Sequence, residues 1–527
     1  MDIAILSASV LTGNPDQPRA EAIGITDNKI VVVGTDEAVK EQITDKTKVF
    51  EMPGRLITPG LVDAHLHFLN FGMSLRWVNL RNLPSLEACR EKIREAVSKH
   101  KPGEWIIGRG WNQNKWEDPT EPILKDIDDL TPENPTMMVR ACGHCIWINS
   151  LALKAAGIDE NTPDPPGGQI DRDSHTGAPN GLLREARKLI EAQIPRPSLE
   201  ERKSAILSAQ EEALRFGLTG VHTCERLEQW DAFEALDKEG LLKIRVHHLL
   251  PPEEIETAHN RGILNEYKSE HLWFGHVKFF ADGSLGAHTA LLHAPYSDTP
   301  EDACGIACST KKELQEYAEL AYGYGKSVAI HAIGDLAVTN CLEAIAAARK
   351  KYPGARRDRI EHVQLVRAQD FDVFKEMDVV ASVQPVFLPT DWQPAEKLWG
   401  TDRCETAYAW KTIRDAGIRH QFGSDCPVEP VRPILGIQAA VTRQGIEGNP
   451  PGGWCPDQKL SLEETIEGFT KTAAWTAGKE AELGSIESGK KADLTVFGQD
   501  LFETPSETWH EVDIEMTVVN GEVVYRK

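Results

Sequence analysis

Through the middle of this chain, short apolar, β-branched runs alternate with stretches whose apolar residues recur at helical spacing. That alternation is the mark of α/β architecture with a parallel sheet. Taken in order, the strand candidates are LVDAHLH (61–67), TGVHTCE (219–225), IRVHHLL (244–250) and HVKFFADG (276–283). They continue with SVAIHAIG (327–334), RIEHVQL (359–365), VVASVQPV (379–386) and RHQFGSDCPV (419–428). Helical stretches such as KKELQEYAELAYGYG and AVTNCLEAIAAARKKY lie between them. Eight such strands predict a (β/α)₈ TIM barrel, with its chemistry at the C-terminal strand ends.

The two ends of the chain have a different texture. Residues 1–58 read as short strands broken by DN and PG turns, and 483–527 repeat that pattern with a hairpin signal at Asn520-Gly521. We expect them to form one discontinuous β-sandwich domain, because chain termini often lie close together. The barrel is then residues 59–482. Its first connection, roughly 150 residues and rich in Trp and Pro, is too long for a βα loop. We expect an inserted subdomain at about 69–215, leaning over the barrel mouth.

Composition narrows the partners. The 527 residues carry a formal charge of −23, which argues against nucleic acid or an anionic membrane surface. No apolar run reaches the roughly 20 residues that span a bilayer, and Asp2 stands where a signal peptide wants Lys or Arg. The expected location is the cytoplasm, the expected ligand a small molecule, and a homodimer is the default assembly. Cys142-Gly143-His144-Cys145 has the CxxC spacing of thiol–disulfide exchange. It lacks the helix N-terminus that such chemistry needs, so structural thiols are expected.

Candidate chemistry lies in the polar residues late in the apolar runs. His65 and His67 alternate on strand 1 and so share a face. Strand 4 adds Lys278, strand 5 His331, strand 6 His362 and strand 8 Asp425. Each has an ordinary explanation alone: an ion pair for Lys278, core histidines, a helix cap for Asp425. Together, at five strand ends, they make the donor set of a divalent cation such as Zn²⁺ with a position left for water. A lysine ammonium has no acceptor, so Lys278 fits only as a carbamate, whose oxygens could bridge two ions. Asp425 could also move a proton from water to a leaving group.

With these residues in view, the chain resembles the amidohydrolase superfamily, and within it the amidohydrolase 3 (YtcJ-like) branch. The likeness runs through TPGLVDAHLH, RGWNQNKW, GHCIWINSLAL, KFFADGSLGAHTA, IHAIGD, IEHVQ, FGSDCPVEP and LGSIESGKKADLTVF. It implies a distorted barrel with a composite β-sandwich. It also implies His65, His67, His331, His362 and Asp425 as ligands of one or two ions, and Lys278 at a position often occupied by N6-carboxylysine. His331 and Asp425 are then the catalytic pair. The GH…NS motif of the branch makes His144 and Asn149 substrate-binding candidates; Arg403, after strand 7, joins them by its place at the mouth. The branch is similar to N-substituted formamide deformylases, so the expected reaction is hydrolysis of a non-peptide carbon–nitrogen bond. Ester or lactone hydrolysis, decarboxylation and isomerisation use similar centres. A non-catalytic binding protein would have no use for all six groups.

Overall fold

The structure, a computed structural model, describes residues 1–141, 143, 145–165, 168–267, 269–299 and 303–527. Eight parallel strands build its central sheet: β1 (Leu61–Leu66), β2 (Leu218–Cys224), β3 (Arg245–Leu250), β4 (Leu272–Phe280), β5 (Val328–Ala332), β6 (Arg359–His362), β7 (Val380–Val383) and β8 (His420–Phe422). Each pairs with the next in chain order. All eight fall on the runs picked from the sequence. These runs are mostly buried, because strands of a parallel sheet are covered on both faces. Helices fill the connections where expected. Lys311–Gly323 starts from a capping box in which Thr310 and Glu313 satisfy each other's backbone N–H groups.

The ring is joined at its seam by few bonds. Asp425 N–H donates to His65 O at 2.7 Å, and His67 N–H donates to Cys426 O at 2.9 Å. Just below, Asp63 accepts from Ser424 N–H at 3.0 Å and from the Ser424 hydroxyl at 2.5 Å. Gly423 permits the close approach, since a Cβ there would stand 2.5 Å from His65 N. The fold is thus a distorted TIM barrel, nearly closed, with an extra β domain.

That domain draws on both termini. One sheet contains Ile3–Leu6, Ala22–Thr26, Lys29–Gly34 and Lys48–Glu51; the other runs from Glu522–Arg526 through Ile514–Val519, Leu494–Phe497, Leu56–Pro59 and Ser9–Leu11 to Arg19–Ala20. Their core includes Ile5, Val10, Ile23, Val496, Met516 and Val518. Asn520 and Gly521, at φ 52° and 78°, turn the C-terminal hairpin as the NG signal predicts. A buried ion pair, Arg245 Nε to Asp493 Oδ2 at 2.5 Å, ties β3 to this domain.

The chain divides into two compact units, one of residues 1–72 and 202–527, the other Met73–Glu201. The second unit is narrower than the span 69–215. Gly72 lies against the backbone of Ala205, so the residues flanking it pack with the barrel. Within the unit a six-stranded mixed sheet, Gln169–Arg172, Pro179–Arg184, Cys145–Ile148, Thr136–Arg140, Ile106–Trp111 and Val78–Asn79 in spatial order, has its own apolar cores.

Candidate metal centre

His65 and His67 project from the end of β1 on one face, as alternation requires. Parallel register places Phe280, His331 and Glu361 in one layer of β4, β5 and β6, with Lys278, Ala329 and Arg359 in the layer below. His362 follows Glu361 directly, so alternation alone would turn it away from the interior. Its backbone instead adopts φ 73°, and the imidazole comes to 4.9 Å from the His65 ring and 4.4 Å from that of His331. Asp425 is likewise left-handed, at φ 55°. Strained backbone of this kind concentrates where function holds it.

His65, His362 and Asp425 each offer a ligand atom, all within 4.8 Å of one another. Asp425 Oδ1 is 3.5 Å from His65 Nε2 and 3.4 Å from His67 Nε2. This buried oxygen has no hydrogen-bond partner.

The outer nitrogens decide which way the lone pairs face. His67 Nδ1 donates to Cys224 O at 3.0 Å, and His331 Nε2 donates to Gly283 O at 2.8 Å. His362 Nδ1 donates to Gln384 Oε1 at 2.8 Å, and His65 Nδ1 to Glu361 Oε2 at 2.6 Å. A carbonyl or carboxylate oxygen can only accept, so each of these nitrogens carries the proton. In a neutral ring the remaining nitrogen is then the lone-pair donor, whereas His65, held charged by its neighbours, has to lose its Nε2 proton before it can act as a ligand. This is how metal-bound histidines are held.

Charge points the same way. Burial, and then the neighbouring His65, push His362 down to about 3. Burial and His362 hold His331 well below the usual imidazole range. Burial works against charge on His65, yet the acidic groups Cys224 and Glu361 keep it up at about 10. Against burial, the imidazoles of His65 and His67 hold the Asp425 carboxyl well below its usual value. The imidazole and carboxylate donors of the centre fit a borderline divalent cation. Lys278, 5% exposed, sits with Nζ 3.9 Å from the Phe280 ring centroid, and burial lowers its pKa.

Two residues expected to bind substrate have side chains engaged within the protein. Asn149 is fully buried and caps the helix Ser150–Ala155, with both side-chain atoms engaged inside its own unit. Arg403 donates to Trp399 O, Ala294 O, Pro295 O and Ser297 Oγ, which fastens the loop after β4 and leaves no fork for a ligand. Trp399 and Trp410 are core residues. His144 and Cys142 lie outside the described residues. The nine described cysteines are all free thiols.

Asp63, Glu361 and Gln384 escape notice in the sequence, whereas Asp282 reads there as a turn residue and Glu225 as a residue near the mouth. Asp63 clasps the seam, while Glu361 and Gln384 orient ligands. Asp282 accepts from the N–H groups of Leu291, Ile333 and Gly334, which shapes the turn beside His331. Glu225 accepts from Leu69 N–H at 2.8 Å and so fixes the helix that follows β1.

The profile of the Amidohydrolase family matches residues 48–525. The chain belongs to the amidohydrolase family. This amidohydrolase is 35% identical over 519 residues to YtcJ of Bacillus subtilis (strain 168), covering 97% of this chain and 96% of that protein. It is 26% identical over 548 residues to N-substituted formamide deformylase of Arthrobacter pascens, covering 100% and 98%. Among solved structures it is similar to an uncharacterized metal-dependent hydrolase from Pyrococcus furiosus, with a TM-score of 0.78 and 29% identity, covering 94% of this chain and 99% of the other. The family read from the motifs is borne out, as is the barrel. The amidohydrolase is an enzyme of the metal-dependent hydrolase class.

Proposed function

We propose that this amidohydrolase hydrolyses the carbon–nitrogen bond of a small amide, with N-formyl amines as the substrate class and Zn²⁺ as the cation. The observation supporting this is the cluster of His65, His362 and Asp425, whose ligand atoms lie within 4.8 Å of one another, with His67 Nε2 3.4 Å from Asp425 Oδ1 and the His331 ring 4.4 Å from that of His362. When bound there, such a cation acidifies water and polarises a carbonyl oxygen. Asp425 accepts the proton of the attacking water at Oδ1 and returns it to the amine nitrogen as the bond breaks. Its lowered pKa keeps it ionised for the first of these steps. His331 and His362 stay neutral, so they present lone pairs and do not compete for that proton.

Lys278 supplies oxygens only as a carbamate. Burial favours the neutral amine, whose lone pair attacks the carbon of CO₂ and which releases a proton as the carbamate forms, and we assign Lys278 that role. Phe280, directly above it, is 47% exposed, a large apolar face beside the reaction centre that suits the hydrocarbon part of a substrate. The deformylase relative supports the N-formyl assignment by its name alone. Free thiols at all nine described cysteines suit the cytoplasm.

Formate release from a panel of N-formyl amines, set against N-acyl amines, lactones and aromatic acids, tests the reading. In Asp425→Asn, kcat should fall by about 10²–10⁴-fold while elemental analysis still finds metal. Full turnover in that variant, or in a chelated protein free of metal, would overturn the proposal.

A further inference from the structure

Arg359 and Glu361 are both 0% exposed, inside a barrel. Barrel interiors are normally filled by branched apolar side chains, and a charge taken out of water needs a close partner. Each finds one. Arg359 Nε lies 2.6 Å from Glu361 Oε1, in an ion pair whose N–H does not point straight at the oxygen. The other oxygen, Glu361 Oε2, takes the Nδ1 proton of His65 at 2.6 Å. On its far side, Arg359 Nη1 donates to His222 Nδ1 at 2.9 Å. A guanidinium has no acceptor, so His222 must meet it with a lone pair. Burial and Arg359 hold His222 well below the usual imidazole range, which keeps that lone pair available.

The consequence is an asymmetry among the four imidazoles. His67, His331 and His362 each lean on a neutral carbonyl oxygen, from Cys224, Gly283 and Gln384. Of the four, only His65 hydrogen-bonds to a carboxylate, at 2.6 Å; the carboxylate beside His331, that of Asp282, stands 3.6 Å from its Nε2, beyond hydrogen-bond distance. A carboxylate behind an imidazole fixes its tautomer and raises its basicity as a ligand.

We infer that Arg359 and Glu361 are positioning residues that make His65 the anchoring ligand of the centre. Glu361 supplies the charge behind the ring. Arg359 engages the second oxygen and so holds the Glu361 carboxylate against His65, turned away from the cation. His222 fixes Arg359 from the opposite side. The inference rests on the proposed metal centre, and it assigns no substrate contact to either residue.

The test is metal affinity in the folded protein, measured by titrating the chelated full chain with Zn²⁺ against a chromophoric chelator. Glu361→Gln leaves Arg359 as an unpaired buried charge and can fail to fold for that reason alone. The double variant Arg359→Met/Glu361→Gln removes both charges at similar volume, which buried pairs commonly tolerate. It should keep the circular dichroism of the wild type and bind Zn²⁺ about 10–100-fold more weakly. Its Co²⁺ form should show a shifted visible spectrum. By contrast, Gln384→Leu, which strips a neutral acceptor from His362, should weaken binding less. A folded double variant with wild-type Zn²⁺ affinity and an unchanged Co²⁺ spectrum would overturn the inference and leave the metal centre intact. If instead the wild type binds neither ion, and His65→Ala changes nothing, the proposed metal centre itself fails.

Discussion

Asn149→Ala separates a structural from a substrate-binding use of this residue, because the two make opposite demands on stability. Asn149 Oδ1 accepts from Thr136 N–H and from Ala152 N–H, each at 3.0 Å. Nδ2 donates to Asn134 O at 2.8 Å, Thr131 Oγ1 at 2.9 Å and Thr131 O at 3.2 Å. Alanine removes all five contacts. Loss of the helix cap costs about 0.5–2 kcal/mol, and each buried group left without a partner costs about 1–3 kcal/mol. Thr136 is 0% exposed, so water cannot replace the lost acceptor at its N–H. Together these come to about 3–5 kcal/mol, at the upper end of what single substitutions do. Calorimetry should show a lower melting transition for the variant, by several degrees. KM measured on protein still folded at 25 °C should stay within about twofold, since no contact to substrate is removed. A variant that melts with the wild type but has a raised KM would refute the structural assignment and restore the substrate role.

Gly423→Ala would place a Cβ 2.5 Å from His65 N and 2.9 Å from both Asp63 Oδ1 and His65 O. Two of these atoms are backbone and cannot yield, so β8 must retreat from β1 and carry Asp425 with it. We expect about 1–3 kcal/mol of destabilisation and substoichiometric metal by elemental analysis; full metal content at wild-type stability would contradict the seam argument. Asp391 gives a pH signature. Burial raises its carboxyl to about 6, against hydrogen bonds from Tyr408 and Gln364. The folded state then holds a proton that the unfolded state, with a pKa of about 3.9, has released. This contribution is complete below about pH 4 and lost as pH rises through about 6. The melting temperature of the wild type minus that of Asp391→Asn should therefore fall across that window. A flat difference would mean that the carboxyl is not perturbed.

The barrel was legible because parallel strands covered on both faces are written as short, predominantly apolar, β-branched runs, and a polar residue late in such a run is conspicuous. The sheet of Met73–Glu201 was not. Its strands are short and mixed in direction, and the Trp- and Pro-rich text between them carries no clean period. The partners of Asn149 and Arg403 were hidden for another reason. A motif or a position marks where a residue falls, whereas its use depends on partners distant in sequence, Thr131 and Asn134 for one, Ala294 to Ser297 for the other. Glu361 and Gln384 went unnoticed beside His362 because nothing in the chain distinguishes a residue that holds a ligand from one that packs a strand. The R-x-E of Arg359 and Glu361 was the one available signal: two charges at alternate positions of a buried strand must face each other or face a site.

The placement of the centre follows from how the barrel closes. A ring of parallel strands is most demanding where its first and last strands meet, since no crossover helix links them. Here few bonds close it, and they involve the ligand-bearing segments themselves: His65 O accepts from Asp425 N–H, and Cys426 O accepts from His67 N–H. The backbone that closes the barrel is thus the backbone that brings two imidazoles within 3.5 Å of the Asp425 carboxylate. A cation shared by β1 and β8 would add a bond across that seam, so binding and closure are one equilibrium seen from two sides. Metal should accordingly raise the melting temperature in proportion to the logarithm of its free concentration, and the seam residues Asp63, Gly423 and Ser424 should affect metal affinity without touching the ion.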